Sequence, residues 1–207
     1  LYRGIPKVVF LSATLNRKHL QTLNVPSDEV EYREWDRIFP KHKCPVYCLP
    51  AKNEQGKAIR VTRKMKDEDK VRWVEHMDGL MEESLDDRIV LLTTSYAYQQ
   101  FIMEHSRFAR FMVGNTSDPD SDTAMEVFEQ FINAPPPVIL CSPSFGTGWS
   151  FDDDRGRLLI ISKVPLKPPE GSSKLQKARL ARDPELNDAE TMTELVQAGG
   201  RLQRGFN

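Results

Sequence analysis

The chain alternates between short runs of apolar residues and longer segments in which apolar residues recur every three or four positions. The short runs predict buried strands at 8–11, 88–93, 111–113, 138–141 and 158–161. The longer segments predict helices at 66–85, 96–108, 122–132, 173–182 and 188–202. Residues 28–62 are interrupted by three prolines and predict only irregular strands.

The predicted strands are apolar at consecutive rather than alternate positions, so both of their faces must be covered. Strands of this kind alternating with helices are typical of an α/β domain, in which helices cover both faces of a mainly parallel sheet. In such sheets ligands gather beyond the carboxyl ends of the strands. Function is therefore expected in the polar segments that follow the strands, at 12–14, 93–95 and 142–150, and in the helix around Gln197.

The composition argues against a membrane protein and leaves nucleic acid open as a partner. No apolar run approaches the roughly 18 residues that a membrane span needs, and the start shows no signal-peptide pattern. The net charge is −1, so any basic binding surface must be local. The chain starts at Leu1 and stops directly after a predicted helix, and we expect both ends to be cuts through a longer protein.

The cysteines favour a reducing compartment. Cys44, Cys48 and Cys141 are odd in number and form no C-x-x-C pair, which favours reduced core thiols over a metal site. We therefore expect a cytoplasmic location, with which association with a nucleoid or nucleus is compatible.

The last predicted helix carries residues suited to binding phosphate. At 100° per residue, Gln197, Gly200, Arg201 and Arg204 fall within roughly 100° of one another, on a stripe expected to face away from the core. Guanidinium forks bind phosphate oxygens bidentately, and glycine permits close approach. The alternative interpretation is a helix whose acidic start and basic end only complement its dipole.

Four segments of the chain resemble motifs of superfamily 2 helicases, in the order that the family has them. Residues 197–204 (QAGGRLQR) resemble the QxxGRxxR motif that ends the second motor domain, and residues 9–15 (VFLSATL) resemble the SAT motif that leads out of the first. Residues 88–99 resemble motif IV, and residues 137–165 resemble motif V. The long stretch before motif IV and the KVP sequence after motif V are similar to the DNA-repair branch with DEAD/DEAH-like first domains.

This resemblance implies a RecA-like three-layer fold, with residues 1–15 ending a first RecA-like domain and residues 16–207 forming the second. It implies an ATP-dependent helicase or translocase in which ATP with Mg²⁺ is held mainly by the first domain. The implied catalytic residues are Gln197, Arg201 and Arg204, and those on the nucleotide side are Ser12, Thr14, Gly148, Asp152 and Gly200. The implied contacts with single-stranded DNA or RNA are Thr93, Thr94, Ser95, Ser144 and Phe145.

The chain lacks the parts of an ATPase that hold nucleotide and metal. It has no G-x-x-x-x-G-K-[ST] loop, and no Asp-Glu pair follows a strand, so we expect the isolated chain to be inactive. It also departs from many relatives of the DNA-repair branch, which have an acidic residue two positions after the motif V glycine. Here Ser150 follows Gly148 at that distance, and Asp152 is the candidate substitute.

Other polar features have simpler interpretations. The run Asp152–Asp154 and the four scattered histidines predict no metal site. The segment 57–70, rich in both charge signs, is interpreted as solvated surface rather than a nucleic-acid patch. For Trp35 and Phe39, packing in the core or between domains is preferred to stacking on bases.

Two further functions stay open beside the motor. One is a degenerate RecA-like domain that binds nucleic acid or a partner without motor activity, and the paired arginines count against it. The other is an unrelated α/β enzyme for nucleotides or phosphates, and the missing phosphate loop counts against that.

Overall fold

The structure is a computed structural model that describes residues 7–9, 14, 27–35, 45–166 and 185–202. The chain divides into two units. The first contains Leu1–Arg37 and Leu166–Gln197, and the second contains Ile38–Pro165 and Ala198–Asn207. The predicted domain boundary at residue 15 stays a prediction.

A four-stranded parallel sheet forms the centre of the second unit, with the order β2-β3-β1-β4. Its strands are β1 (Arg88–Leu92), β2 (Met112–Val113), β3 (Val138–Ser142) and β4 (Leu158–Ile161). Leu92 lies opposite Ser142 on one side and opposite Ile161 on the other, so these three strands end at the same edge. Every residue of β3 is buried, as the consecutive apolar pattern requires. The predicted α/β fold with a mainly parallel sheet is confirmed.

Helices cover both faces of this sheet. Helices α1 (Asp67–Glu82) and α2 (Tyr96–His105) pack on one face, while α3 (Ala124–Asn133) packs on the other. Consecutive residues of β1 serve opposite faces. Ile89 and Leu91 meet the α1 side, which contributes Trp73, Val74, Met77 and Met81. Val90 and Leu92 belong to the cluster that contains Val127 and Phe131 of α3.

Side-chain caps set where two of these helices begin. The Ser95 hydroxyl accepts a hydrogen bond from the Tyr98 amide and starts α2. At α3, Thr123 and Glu126 form a reciprocal capping box. Hydrogen bonds from the Thr123 backbone and hydroxyl hold the pKa of Glu126 below its usual value.

The predicted elements differ from the observed ones mainly at their ends. Residues 28–62 were expected to form irregular strands, yet the described part shows only a 3₁₀ turn at Ser27–Glu29 and one bridge between Lys52 and Ala58. The predicted strand at 8–11 is not seen in its described part, where Val9 is 78% exposed. The rest of that strand and the helix predicted at 173–182 lie outside the described residues. None of the described helices is long and apolar enough to cross a bilayer.

The last helix, α4, spans Glu185–Gly199. It starts earlier and ends earlier than predicted, and Gly200 and Arg201 form a turn instead of continuing the helix. Glycines at 199 and 200 explain this end, because glycine is the ordinary residue type beside helix C-termini and is poor in helix interiors. This early end changes where Arg201 points.

The two described cysteines lie in opposite environments. Cys141 is fully buried in β3, whereas Cys48 is exposed, so the prediction of core thiols is wrong for Cys48. Burial raises the pKa of Cys141 to about 12. A thiolate is the reactive species, so Cys141 is chemically silent at neutral pH.

We expect iodoacetamide at about pH 8 to alkylate Cys48 readily in the folded chain and to leave Cys141 unmodified, as read by peptide mass spectrometry. In urea both should react, which is the control. The raised pKa also makes Cys141 stabilise the fold fully below its ordinary value of 9.0, with the contribution lost as pH rises from there towards about 12. Equal labelling of both thiols in the folded chain would contradict the buried position of Cys141.

Candidate functional site

The carboxyl ends of β1 and β3 form a topological switch point. These strands are neighbours, yet the chain leaves β1 for α2 on one face and leaves β3 for a loop whose Phe145 and Phe151 pack on the other face. The two departing segments open a crevice between them, which is where open parallel sheets bind their ligands. The segments at 93–95 and 142–150 lie at this crevice, as the sequence predicted.

Asn115 is the centre of a hydrogen-bond network at this edge. Its Nδ2 donates to Tyr96 Oη and to Ser144 Oγ, both at 3.0 Å. Its Oδ1 accepts from Ser142 Oγ at 2.6 Å. The Tyr96 and Ser144 oxygens are 2.8 Å apart. One buried amide therefore fixes hydroxyl groups that come from α2 and from the loop after β3.

Gln99 and Gly114 hold Asn115 in place. Gln99 is buried, and its Nε2 donates to the Asn115 carbonyl at 2.8 Å. Gly114 passes so close to β3 that a Cβ on it would lie 2.2 Å from the Cys141 carbonyl oxygen. Only glycine fits such an approach without a backbone shift. The position of the amide is therefore set by tight packing under it.

The predicted strand-contacting residues lie at this edge with different exposures. Thr94, Ser95 and Ser144 are half-buried at the surface. Thr93 is buried, and its Oγ1 donates to the Ser95 carbonyl at 3.3 Å. Thr93 therefore shapes the segment, while Thr94, Ser95 and Ser144 remain accessible.

Phe145 does not lie where a nucleic-acid contact requires. It is fully buried, with its ring 4.9 Å from that of Trp149 and 6.5 Å from that of Phe128 on α3. A side chain in this aromatic cluster cannot stack on a base in this conformation. The assignment of Phe145 to strand contact is corrected to anchoring the loop on α3.

Arg201 is buried against the same loop. Its side chain is expected from the helical wheel to be exposed, yet the residue is only 8% exposed. Its Nε donates to the Gly146 carbonyl at 3.0 Å, and its Nη1 donates to the Trp149 carbonyl. The Arg201 carbonyl in turn accepts from the Phe151 amide at 3.2 Å. Arg201 thus fastens the loop from both its side chain and its backbone.

The family comparison agrees with this arrangement of strands and loops. The family model described as the helicase C-terminal domain matches residues 80–207, which is more than half of the chain. The chain belongs to the helicase C-terminal domain family. The match includes all four strands and the edge built by Tyr96, Asn115 and Ser144. No curated protein matches the chain.

The nucleotide-side residues predicted for this helicase domain fall in several places. Ser12 and Arg204 lie outside the described residues. In the first unit, Gln197 Nε2 donates to Thr14 Oγ1 at 3.0 Å, which brings together two of the predicted residues. In the second unit, Gly148 is exposed with a φ of 85°, and Gly200 is half-buried in the turn after α4.

Asp152 lies apart from the carboxyl edge of the helicase domain. It accepts a hydrogen bond from Ser150 Oγ at 2.5 Å and lines a polar pocket with Arg88, the first residue of β1. Asp154 belongs to the same pocket, and its carbonyl accepts from Arg88 Nη1 at 3.1 Å. The pocket is therefore at the amino edge of the sheet, and the structure does not bring Asp152 to the residues at the crevice. In the described part of the chain, no three His, Cys, Asp or Glu side chains converge as metal ligands.

Tyr96 and Asn115 are the site residues that sequence reasoning missed. Asn115 lies two positions beyond β2, a strand of only two residues whose carboxyl end was not among the segments predicted to carry function. Tyr96 is the first residue of a predicted helix, a position that by itself does not indicate binding. The rule that selected residues 93–95, a polar residue directly after a strand, would have found Asn115 as well.

Proposed function

We propose that this helicase C-terminal domain is the strand-contacting half of an ATP-dependent superfamily 2 helicase or translocase. Its carboxyl edge would bind the phosphate backbone of single-stranded DNA or RNA. The observation that carries this proposal is the hydroxyl pair of Tyr96 and Ser144 beside Asn115. Contacts to phosphate from hydroxyl groups position a strand without reading its sequence, as a motor that moves along it requires.

The hydrogen count of this network leaves one donor free for a ligand. Asn115 uses both Nδ2 hydrogens on the Tyr96 and Ser144 oxygens. At 2.8 Å, one of those two hydroxyls donates to the other. Within the described part of the chain, the hydrogen of the second hydroxyl then has no acceptor. A phosphate oxygen is an acceptor that would complete the set.

The described residues do not form an ATP pocket by themselves. The Arg201 guanidinium is buried and donates to two loop carbonyls, so it does not offer a fork to phosphate in this conformation. ATP with Mg²⁺ is therefore assigned, as part of the proposal, to a first RecA-like domain of the same protein. Arg204 is the residue proposed to reach that nucleotide, with Gln197 beside Thr14 on the same side. The proposed location is cytoplasmic, and association with a nucleoid or nucleus is compatible with it.

Removing the two hydroxyls tests the strand contact. In the 207-residue chain, the double variant Tyr96→Phe/Ser144→Ala should bind a fluorescent single-stranded oligonucleotide about tenfold more weakly than the wild type. Each lost hydrogen bond is worth about 0.5–1.5 kcal/mol. Fluorescence anisotropy at low salt measures the change.

The matched control is Tyr47→Phe/Ser84→Ala. It removes the same two groups from an exposed tyrosine and from a half-buried serine before β1. It should bind as the wild type does. If both double variants bind equally well, the carboxyl edge is not the strand path.

A further inference from the structure

A strongly basic segment precedes α1 and lies outside the stretch that matches the helicase family. Residues 52–66, called here the basic segment, contain six lysines and arginines and one acid, in a chain with a net charge of −1. All six cations are exposed: Lys52, Lys57, Arg60, Arg63, Lys64 and Lys66. In the described part of the chain none of them forms an ion pair, and the one acid, Glu54, pairs with Arg72 of α1. Three acids, Asp67–Asp69, follow the segment in the first turn of α1, so the excess of positive charge is confined to residues 52–66.

The basic segment has a defined conformation on the second unit. Ala51 and Met65, which flank most of its cations, are buried in the core under α1, and Ile59 and Val61 pack against the same core. Within it, Asn53 Oδ1 accepts from the Gln55 and Lys57 amides, and Gly56 takes a φ of 72°. A bridge between Lys52 and Ala58 closes the turn. The backbone that carries the cations is therefore already ordered. Because of this, less conformational entropy is lost when the segment binds a ligand.

The end of the basic segment lies at the carboxyl edge of the sheet. Helix α1 ends near the amino edge of the sheet, where β1 begins. The first turns of α1 therefore lie near the carboxyl ends of the strands. Trp73 confirms this position, because its Nε1 donates to the carbonyl of Ser162, directly after β4, at 2.9 Å. Lys163 Nζ lies 5.5 Å from the centre of the Tyr98 ring on α2.

Tyr98 gives a second indication that cations gather here. Burial raises the pKa of Tyr98, and the positive charges of Arg63 and Lys70 act in the opposite direction. Both cations are therefore near a tyrosine in the first turn of α2, the helix that also carries Tyr96. Positive charge therefore reaches the first turn of α2, two residues along the chain from Tyr96.

We propose that the basic segment, together with Lys163, is an accessory binding surface for the phosphate backbone of the same single strand. The proposal rests on the proposed function, because it extends the path that starts at Tyr96 and Ser144. Its contribution is electrostatic and independent of sequence, and it replaces counterions along the strand. It is an alternative to the interpretation of residues 57–70 as solvated surface, which stays a prediction.

The test neutralises three cations at the α1 end of the segment. In the 207-residue chain, Arg63→Gln/Lys64→Gln/Lys66→Gln should weaken binding of a single-stranded oligonucleotide at least about tenfold near 50 mM salt. The slope of log K against log salt should fall by about 2, because each phosphate contact contributes about 0.7 for single strands.

The control has the same charge change at the opposite edge of the sheet. Arg107 and Arg110 follow α2 and Arg155 precedes β4, and all three are exposed. Arg107→Gln/Arg110→Gln/Arg155→Gln should keep most of the affinity and the slope of the wild type. Thermal melting of both triple variants shows that each is folded.

The outcomes separate this proposal from the proposed function. If both triple variants bind alike while Tyr96→Phe/Ser144→Ala binds weakly, the accessory surface is overturned and the strand contact stands. If only the basic-segment variant binds weakly, the segment binds the strand by itself, and both its accessory role and the hydroxyl edge as the path are overturned. If the wild type binds polyglutamate and not the oligonucleotide, the segment recognises acidic protein and the proposal fails.

Discussion

Arg201→Ala is expected to lower the free energy of unfolding of the 207-residue chain by about 2–5 kcal/mol. The substitution leaves the carbonyls of Gly146 and Trp149 without their donor in a partly buried place, at up to about 1–3 kcal/mol for each, and it removes the packing of a buried side chain. The melting temperature should fall by roughly 5–15 °C, as measured by circular dichroism. Arg201→Lys should recover only part of this loss, because an ammonium group cannot reproduce the planar fork.

Arg204 supplies the contrast in the complete protein. We expect Arg204→Ala to reduce ATP turnover at least about a hundredfold, since arginine fingers contribute about 10³–10⁵ in rate, with no change in melting temperature. Arg201→Ala should reduce turnover as well, through a displaced loop, and should lower the melting temperature too. The two arginines of one motif would then differ in kind, one positioning the loop and the other contacting nucleotide.

Arg157→Ala is the stability control, since this exposed arginine forms a surface ion pair with Asp154 and should change stability by less than about 0.5 kcal/mol. If Arg201→Ala melts as the wild type does, the buried position of its guanidinium is incorrect. If Arg201→Ala lowers ATP turnover without lowering stability, Arg201 contacts the nucleotide rather than positioning the loop.

Gly114→Ala is also expected to destabilise the chain, although it adds only one methyl group. The new Cβ would meet the Cys141 carbonyl oxygen at 2.2 Å and Gln99 Nε2 at 2.6 Å, so the backbone after β2 must move. Overpacking of this kind costs about 1–3 kcal/mol or more. The move also carries Asn115 away from Tyr96 and Ser144, so strand binding should weaken together with stability. Urea denaturation and oligonucleotide binding measure the two effects.

Gly79→Ala is the matched control within α1. A Cβ there meets nothing within 4 Å, and alanine is the better helix former by about 0.8–1.0 kcal/mol. This variant should be more stable than the wild type and should bind nucleic acid unchanged. A Gly114→Ala chain that is equally stable would show that β2 and β3 are farther apart than described.

The sheet was predictable because its signal is local. Strands buried on both faces are apolar at consecutive positions, and β1, β3 and β4 were therefore placed to within one residue. Thr93 and Ser144 followed from the end of each strand, since parallel strands end at one edge. The capping box of Thr123 and Glu126 sets the start of α3. Its two reciprocal hydrogen bonds are seen only in the structure.

The rest depended on contacts between distant segments. The helical wheel gave Arg201 an exposed direction because it assumed 100° per residue through position 204, whereas α4 ends at Gly199. Phe145 sits in a hydroxyl-rich loop, and its partner Phe128 lies on a separate helix. The role of Asn115 depends on Gly114 passing close to Cys141, an approach that no periodicity reveals.

The hydrogen bonds from Arg201 to the loop after β3 have a consequence for which amino acids the loop can carry. Both of its described hydrogen bonds go to main-chain oxygens, which every amino acid provides. Thr147 and Gly148 lie between Gly146 and Trp149, the two residues that accept these hydrogen bonds, and both are exposed. The side chains at these positions can therefore be exchanged while the loop keeps its attachment. One buried arginine would let this surface acquire new preferences for its ligand without a new scaffold to hold it.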